Sequence, residues 1–311
     1  MESCDVLIVG GGPAGLAAAV YTGRADLKTL ILERASLGGQ VSLTHAIDNY
    51  PGFDEGISGP DLTEKMARHA RRFGAEIRTE EVERVEIDGL HKIVTSSGNA
   101  YRTPTLILAT GADPRKLGVP GEQKLRGRGV SYCGTCDAPF FRDKKVVVVG
   151  GGDTAFKEGL YIAKFSSEVV LVHRRQEFRA ERIYIEEAEK NAKLRFELDA
   201  VVERIDGDAK VESVGVKNVK TGETKTIPCD GVFVFVGTVP NTAFLGDLCG
   251  VDATGHIETD LDMMTCTPGL FAVGDVRKYS YRQVGTAVGE AITAAMATEH
   301  WISKNRAEGK L

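Results

Sequence analysis

Residues 6–15 have the sequence Val-Leu-Ile-Val-Gly-Gly-Gly-Pro-Ala-Gly, and residues 146–155 have the sequence Val-Val-Val-Val-Gly-Gly-Gly-Asp-Thr-Ala. Each stretch begins with a short apolar run, which is typical of a buried parallel strand, and continues through glycines into a helical pattern. Another apolar run follows each stretch, at residues 30–32 and 169–172. The second stretch lies 140 positions after the first. The chain therefore contains two copies of one module, built from a strand, a tight turn, a helix and a second strand.

The glycine spacing of the first copy is that of a dinucleotide-binding fingerprint. Gly10 allows the turn, Gly12 lets a pyrophosphate approach the backbone, and Gly15 lets the helix pack closely on the strand. The N-terminus of the helix then presents free N–H groups to the phosphates. The candidate ligand-binding residues are Gly10, Gly12, Pro13, Ala14 and Gly15 in the first copy and Gly150, Gly151, Gly152, Asp153, Thr154 and Ala155 in the second.

The two copies differ at the position that selects the nucleotide. Glu33 ends the second strand of the first copy, and an acid there favours a free ribose 2′-hydroxyl. The equivalent residue of the second copy is His173, followed by Arg174, Arg175 and Arg179, and arginines favour a 2′-phosphate. The first copy therefore suits FAD or NAD, and the second suits NADPH. The alternatives are a solvated strand end for Glu33 and a solvated charge run for the arginines.

A thiol pair lies between the two copies, in the stretch Tyr-Cys-Gly-Thr-Cys-Asp at residues 132–137. A C-x-x-C motif can be half of a zinc site, but zinc needs four ligands, usually including a second close pair. The remaining cysteines form no such pair: Cys4, Cys229, Cys249 and Cys266. Because the thiol pair stands between two nucleotide modules, we expect electrons to pass through a disulfide of Cys133 and Cys136, with no metal.

The overall composition restricts the class of protein. The chain has 311 residues, of which 42% are hydrophobic and 27% charged, as in ordinary globular proteins. Its net charge of −5 gives no basic surface for nucleic acid. No apolar run approaches the roughly 20 residues of a membrane span, and Glu2 and Asp5 stand where a signal peptide needs positive charge. We therefore expect a soluble cytoplasmic protein that binds neither nucleic acid nor membrane.

Turn signals divide the chain into three segments. The prolines around residues 113–121 and again around residues 239–241 mark connections. The predicted fold class is α/β, with two Rossmann-like three-layer nucleotide-binding domains and the second inserted into the first. The predicted segments are an FAD-binding domain at 1–115 and 242–311 and an NADPH-binding domain with the thiol pair at 116–241. Helices are predicted over residues 60–74 and 285–297.

Together these residues closely resemble the low-molecular-weight thioredoxin reductases of the bacterial and archaeal type, a class of pyridine nucleotide-disulfide oxidoreductases. The resemblance covers essentially the whole chain. The redox motif of that family is matched by Cys133, Cys136 and Asp137. Beyond the fingerprint and Glu33, its FAD motifs are matched by Gly39, Gln40, Thr44, Asn49, Thr110, Gly111, Gly274, Asp275, Arg282, Gln283 and Val284. One departure is Gly134, where alanine is common.

The resemblance implies a mechanism. Hydride from NADPH reduces FAD, reduced FAD reduces the Cys133–Cys136 disulfide, and the dithiol reduces thioredoxin. It implies that Cys136 is the sulfur next to the flavin, that Cys133 attacks the partner, and that Asp137 is a general acid; a helix N-cap is the alternative role for Asp137. It also implies a homodimer and rotation of the inserted domain.

Two alternatives differ from a thioredoxin-disulfide reductase. The chain could serve a glutaredoxin-like protein or another disulfide carrier with the same chemistry. It could also be a redox sensor without turnover, although a sensor needs only one nucleotide site. Steady NADPH oxidation in the presence of a disulfide substrate distinguishes an enzyme from a sensor.

Overall fold

The computed structural model describes residues 1–44 and 46–311. The chain forms two compact units, which we call unit 1 (Met1–Asp113 with Val239–Leu311) and unit 2 (Pro114–Thr238). The second unit therefore interrupts the sequence of the first. The α-helices are α1 (Pro13–Arg24), α2 (Gly59–Arg72), α3 (Gly134–Asp137), α4 (Asp153–Ala163), α5 (Arg182–Lys190) and α6 (Val284–Ala307).

Unit 1 contains a parallel sheet and a smaller meander. Its strands are β1 (Glu2–Ser3), β2 (Val6–Val9), β3 (Thr29–Glu33), β4 (Glu76–Thr79), β5 (Val82–Asp88), β6 (His91–Ser96), β7 (Asn99–Thr103), β8 (Thr105–Leu108) and β19 (Leu270–Ala272). Two short strands, β9 (Ala112–Pro114) and β18 (Thr238–Pro240), pair with each other, and each ends or begins with one residue of unit 2. The parallel sheet has the strand order β19-β8-β2-β3-β4. The second sheet has the order β1-β7-β6-β5, in which β5, β6 and β7 are antiparallel.

Strand β2 shows how the sequence builds three layers in unit 1. Its residues are all buried, and successive side chains point to opposite faces of the sheet. Val6 and Ile8 pack with residues of α1 and α6. Leu7 and Val9 pack with residues of the meander. Each fully buried side chain of this kind contributes about 1.5–3 kcal/mol to the stability of the fold. This packing fixes the carboxyl end of β2, where the fingerprint begins.

Unit 2 repeats this design. Its strands are β10 (Val130–Ser131), β11 (Lys145–Gly150), β12 (Glu168–Val172), β13 (Leu194–Glu197), β14 (Ala200–Asp206), β15 (Ser213–Asn218), β16 (Thr224–Pro228) and β17 (Gly231–Phe235). The order of the parallel sheet is β10-β17-β11-β12-β13, and β14, β15 and β16 form an antiparallel sheet. Val146 lies opposite Val169, just as Val6 lies opposite Thr29 in unit 1. The predicted fold class, α/β with two Rossmann-like modules and the second inserted, is confirmed.

Two helices differ from their predicted bounds. Helix α2 begins at Gly59, because the Ser58 hydroxyl accepts a hydrogen bond from the Asp61 N–H at 3.1 Å and caps it. Helix α6 continues ten residues beyond its predicted end at Ala297, to Ala307. The small-residue run stops at Ala297, but no Gly or Pro interrupts residues 298–307, and Ile302 is buried in the core. Among the described residues, no helix is long and apolar enough to cross a membrane.

Candidate active site

The cysteines of the C-x-x-C motif form a disulfide in unit 2. Cys133 is the N-cap of α3, and its Sγ accepts a hydrogen bond from the Cys136 N–H at 3.2 Å. The Ser131 hydroxyl accepts from the Cys133 N–H and donates to the Cys133 carbonyl, each at 3.1 Å. A peptide N–H that donates to sulfur stabilises a thiolate. This geometry therefore favours negative charge on Cys133 once the disulfide opens.

Asp137 follows Cys136 directly and is partly buried. Burial raises the pKa of its carboxyl above the usual range, and a hydrogen bond with Ser131 opposes this rise. Asp137 occupies the N-cap position of the 3-10 helix that follows it, Ala138–Phe141, but its side chain makes no cap hydrogen bond there. A carboxyl that keeps its proton nearer to neutral pH is suited to donate it.

Glu158 of α4 accepts a hydrogen bond from the backbone of α3, a contact that was not predicted from the sequence. Its Oε2 accepts a hydrogen bond from the Thr135 N–H at 2.9 Å. A Cβ at Gly134 would lie 2.3 Å from the same oxygen. The glycine that departs from the common alanine thus lets a carboxylate approach α3 closely. This link ties the disulfide to the helix that begins at the second fingerprint.

The glycines of the first fingerprint serve two different purposes. Gly10 has φ +107°, and a Cβ there would lie 2.3 Å from the Ala109 carbonyl oxygen. A Cβ at Gly15 would lie 1.9 Å from the Gly10 carbonyl oxygen. A Cβ at Gly12 would meet nothing within 4 Å, and no side chain caps the α1 N-terminus that follows it. The fold itself requires Gly10 and Gly15, whereas Gly12 leaves open space where a phosphate can reach the free N–H groups.

Glu33 lies against this fingerprint at the end of β3. Its Oε2 accepts a hydrogen bond from the Gly11 N–H at 2.7 Å, and its Oε1 accepts one from the Ala35 N–H at 2.9 Å. Two backbone donors therefore fix the carboxylate. Each carboxylate oxygen has a further lone pair, so Glu33 can still accept a ribose hydroxyl.

Predicted FAD residues from distant parts of unit 1 come together. Asn49 Nδ2 donates to Gln283 Oε1 at 3.1 Å, and Gln283 is the N-cap of α6. Gln40 Nε2 donates to Asp113 Oδ1 at 2.6 Å. The others of this group lie in turns and at the ends of elements: Gly39 and Thr44 at the 3-10 helix Gly39–Leu43, Gly111 after β8, and Arg282 and Val284 beside Gln283.

Thr110 and Asp275 carry polar groups that suit a bound cofactor. Thr110 Oγ1 is buried and has no hydrogen-bond partner among the described residues, whereas the Thr110 carbonyl accepts from Asn241 Nδ2 at 3.0 Å. Burial raises the pKa of the Asp275 carboxyl. Gly274, beside it, donates its N–H to Glu290 Oε2 at 2.8 Å. An unpaired buried hydroxyl costs about 1–3 kcal/mol, and a polar cofactor that paired with it would remove that cost.

The second fingerprint repeats this arrangement in unit 2. A Cβ at Gly150 would lie 2.5 Å from the Phe235 carbonyl oxygen, and one at Gly152 would meet nothing within 4 Å. No side chain caps the N-terminus of α4. Asp153 Oδ1 accepts from the Glu181 N–H at 2.7 Å, Ala155 is buried and Thr154 is exposed. Open space at Gly152 again leaves the helix N-terminus free for a phosphate.

The predicted 2′-phosphate residues form a loop beside Gly151. A Cβ at Gly151 would lie 2.2 Å from the His173 ring. Burial lowers the pKa of His173, whose Nε2 lies 3.2 Å from the Glu177 carbonyl oxygen. The three guanidinium groups are exposed and have no ion-pair partner within residues 1–44 and 46–311: Arg174, Arg175 and Arg179. His173 therefore shapes the loop from inside, and the arginines remain available to an anion.

A sequence model of the family described as pyridine nucleotide-disulphide oxidoreductase matches residues 4–291. The chain belongs to this family. It is 47% identical over 299 residues to the thioredoxin reductase of Treponema pallidum (strain Nichols), covering 96% of this chain and 97% of that protein. It is 45% identical over 307 residues to the thioredoxin reductase of Peptoclostridium acidaminophilum, covering 97% and 98%.

A solved structure gives the same result. The crystal structure of thioredoxin reductase from Streptococcus pyogenes MGAS5005 matches with a TM-score of 0.92 at 43% identity, covering 97% of this chain and 99% of that one. The resemblance inferred from the motifs is therefore confirmed. The chain is a flavoprotein oxidoreductase of the pyridine nucleotide-disulphide family, and Cys133–Cys136 is a disulfide in it.

Proposed function

We propose that this protein transfers electrons from NADPH, by way of FAD, to the Cys133–Cys136 disulfide and then to thioredoxin. The single observation that carries this proposal is the disulfide itself. It stands at the N-terminus of α3, next to a carboxyl with a raised pKa. The relatives called thioredoxin reductase support thioredoxin as the substrate.

The residues around the first fingerprint suit FAD. Gly12 leaves room for a pyrophosphate, Glu33 can accept a ribose hydroxyl, and the buried Thr110 hydroxyl lacks a partner among the described residues. The loop with Arg174 and Arg175 suits the 2′-phosphate of NADPH. When bound, the two cofactors supply a two-electron relay from nicotinamide to flavin.

The residues of the chain then perform thiol–disulfide exchange. The Cys133 thiolate attacks one sulfur of the thioredoxin disulfide, and the other thioredoxin sulfur leaves as a thiolate. Cys136 attacks Cys133 in the mixed disulfide, which restores the Cys133–Cys136 bond and releases reduced thioredoxin. Asp137, beside Cys136, donates a proton to the thioredoxin thiolate as it leaves, and the Asp137 carboxylate then accepts the proton that Cys136 loses when it attacks. The two electrons lost by the dithiol are those gained by thioredoxin.

Coupled turnover tests this function. We expect steady oxidation of NADPH when oxidised thioredoxin is added to the FAD-loaded protein, and appearance of thioredoxin thiols in equal amount. The control uses a thioredoxin whose two cysteines are replaced by serine, which should give no oxidation above background. Oxidation of NADPH without thiol formation would contradict the proposal.

A further inference from the structure

The loop of residues 173–179, which carries the arginines, is fixed at both ends by backbone hydrogen bonds. The His173 N–H donates to the Glu197 carbonyl at 2.9 Å, and the His173 carbonyl accepts from the Ala200 N–H at 2.9 Å. At the other end, the Arg179 N–H donates to the Gly151 carbonyl at 2.8 Å. The ends are therefore anchored to the sheet and to the fingerprint.

The middle of the loop is held by a buried carboxylate. Gln176 Nε2 donates to Asp199 Oδ2. Asp199 lies in the turn between β13 and β14, is 6% exposed, and has φ +50°. Lys220 Nζ, from the turn between β15 and β16, lies 2.8 Å from the same carboxylate oxygen. We call Gln176, Asp199 and Lys220 the latch.

The latch joins the middle of the arginine loop to two turns, one between β13 and β14 and the other between β15 and β16. Gln176 directly follows Arg174 and Arg175 in the sequence, so fixing its side chain also restricts their backbone. Inside the loop, the His173 ring packs on Phe178 with centroids 5.3 Å apart. A loop that is ordered before a ligand arrives loses less conformational entropy on binding.

The latch also neutralises the negative charge of Asp199 near the proposed phosphate site. An ionised carboxylate close to a phosphate site repels the phosphate, but the ammonium group of Lys220 offsets the charge of Asp199. The ion pair with Lys220 and the hydrogen bond from Gln176 hold the pKa of Asp199 below its ordinary value, so this carboxylate is ionised at neutral pH.

We propose that Gln176, Asp199 and Lys220 are positioning residues that set the preference for a nucleotide with a 2′-phosphate. They order the arginine loop in advance, and Lys220 cancels the repulsion from Asp199. The inference rests on the proposed function, because it concerns the nucleotide of the second fingerprint. NADH lacks the 2′-phosphate and does not use the loop, so its binding is independent of the latch.

The experiment compares nucleotides in the FAD-loaded protein. KM and kcat for NADPH and NADH, and inhibition by 2′,5′-ADP and by 5′-AMP, are measured for the wild type, Q176A, D199A and K220M. Loss of one or two hydrogen bonds should raise KM for NADPH and Ki for 2′,5′-ADP about three- to tenfold. The kcat values, KM for NADH and Ki for 5′-AMP should stay within about twofold. K220M should show its largest effect at low salt, because its loss is one of charge.

A matched control variant makes the same change in net charge as K220M but leaves the latch residues unchanged. Lys217 lies on β15 and pairs with Glu203 at 3.5 Å rather than with Asp199, so K217M should leave the NADPH preference unchanged. Turnover with NADH reports folding of every variant. Equal losses for NADPH and NADH, or unchanged NADPH kinetics in Q176A, would overturn the proposed role of the latch alone. A wild-type protein that did not prefer NADPH over NADH would overturn both the assignment of NADPH to the second fingerprint and the proposed role of the latch.

Discussion

The two sulfurs of the disulfide have different surroundings, and this difference is testable at the level of single residues. Only Cys133 accepts the N–H of its partner cysteine, so the geometry favours it as the attacking thiolate. We expect both C133S and C136S to lose thioredoxin reduction. C136S should retain thioredoxin as a stable mixed disulfide on Cys133, because no second thiol resolves it, whereas C133S should not.

Non-reducing electrophoresis with mass spectrometry identifies the trapped species. The control is C266S, since Cys266 is a free and exposed cysteine, and it should keep full activity. Trapping by C133S instead of C136S would reverse the roles of the two sulfurs.

The neighbouring carboxyl gives a second prediction at this scale. Burial raises the pKa of Asp137, so its protonated form persists toward neutral pH and the rate of disulfide reduction should fall as pH rises through that raised pKa. D137N cannot donate this proton and should react about 100-fold more slowly or worse, with that pH limb absent. Stopped-flow measurement separates this step from flavin reduction by NADPH, which should be unchanged. A D137N variant with the wild-type pH profile would remove the acid role.

At the scale of elements, the strand–glycine–helix junction separates folding from ligand binding. In G12A the new Cβ meets open space, so the apoprotein should keep its stability within about 1 kcal/mol. It should bind FAD at least about tenfold more weakly, because the methyl group occupies the path of the pyrophosphate. In G15A the Cβ lies 1.9 Å from a backbone oxygen, and the apoprotein should lose at least about 2 kcal/mol.

Denaturant unfolding of the apoproteins and FAD titration measure both effects. G152A in the second fingerprint serves as the matched control, because it should keep FAD while losing NADPH. Equal stability of G12A and G15A would contradict the division of labour between these glycines.

Elements with strong local signals were predictable, whereas contacts between distant side chains were not. The β2–α1–β3 and β11–α4–β12 segments follow from apolar runs and glycine spacing. The burial of Lys92, which donates to the Leu90, Pro104 and Pro268 carbonyls, has no local signal, since a lysine in a strand usually faces water. The contact of Glu158 also has no local signal, because its partner Thr135 lies on another helix. The end of α6 was not predicted because the prediction followed the run of small residues, whereas the helix continues to Ala307 with Ile302 packed in the core.

At the scale of the whole molecule, the chain places one fingerprint in unit 1 and the other, with the disulfide, in unit 2. The repeat at an offset of 140 positions made this division predictable from the sequence. The central claim is that electrons from NADPH reach the Cys133–Cys136 disulfide only by way of FAD. Because the route runs through the flavin, FAD-loaded protein is compared with protein stripped of FAD.

Counting thiols after anaerobic incubation with NADPH makes this comparison. The chain has six cysteines, and four are free beside the disulfide. After denaturation and alkylation, the FAD-loaded protein should change from four modified cysteines to six, and FAD-stripped protein given the same NADPH should stay at four. A count of six in stripped protein, or four in loaded protein, would contradict the account.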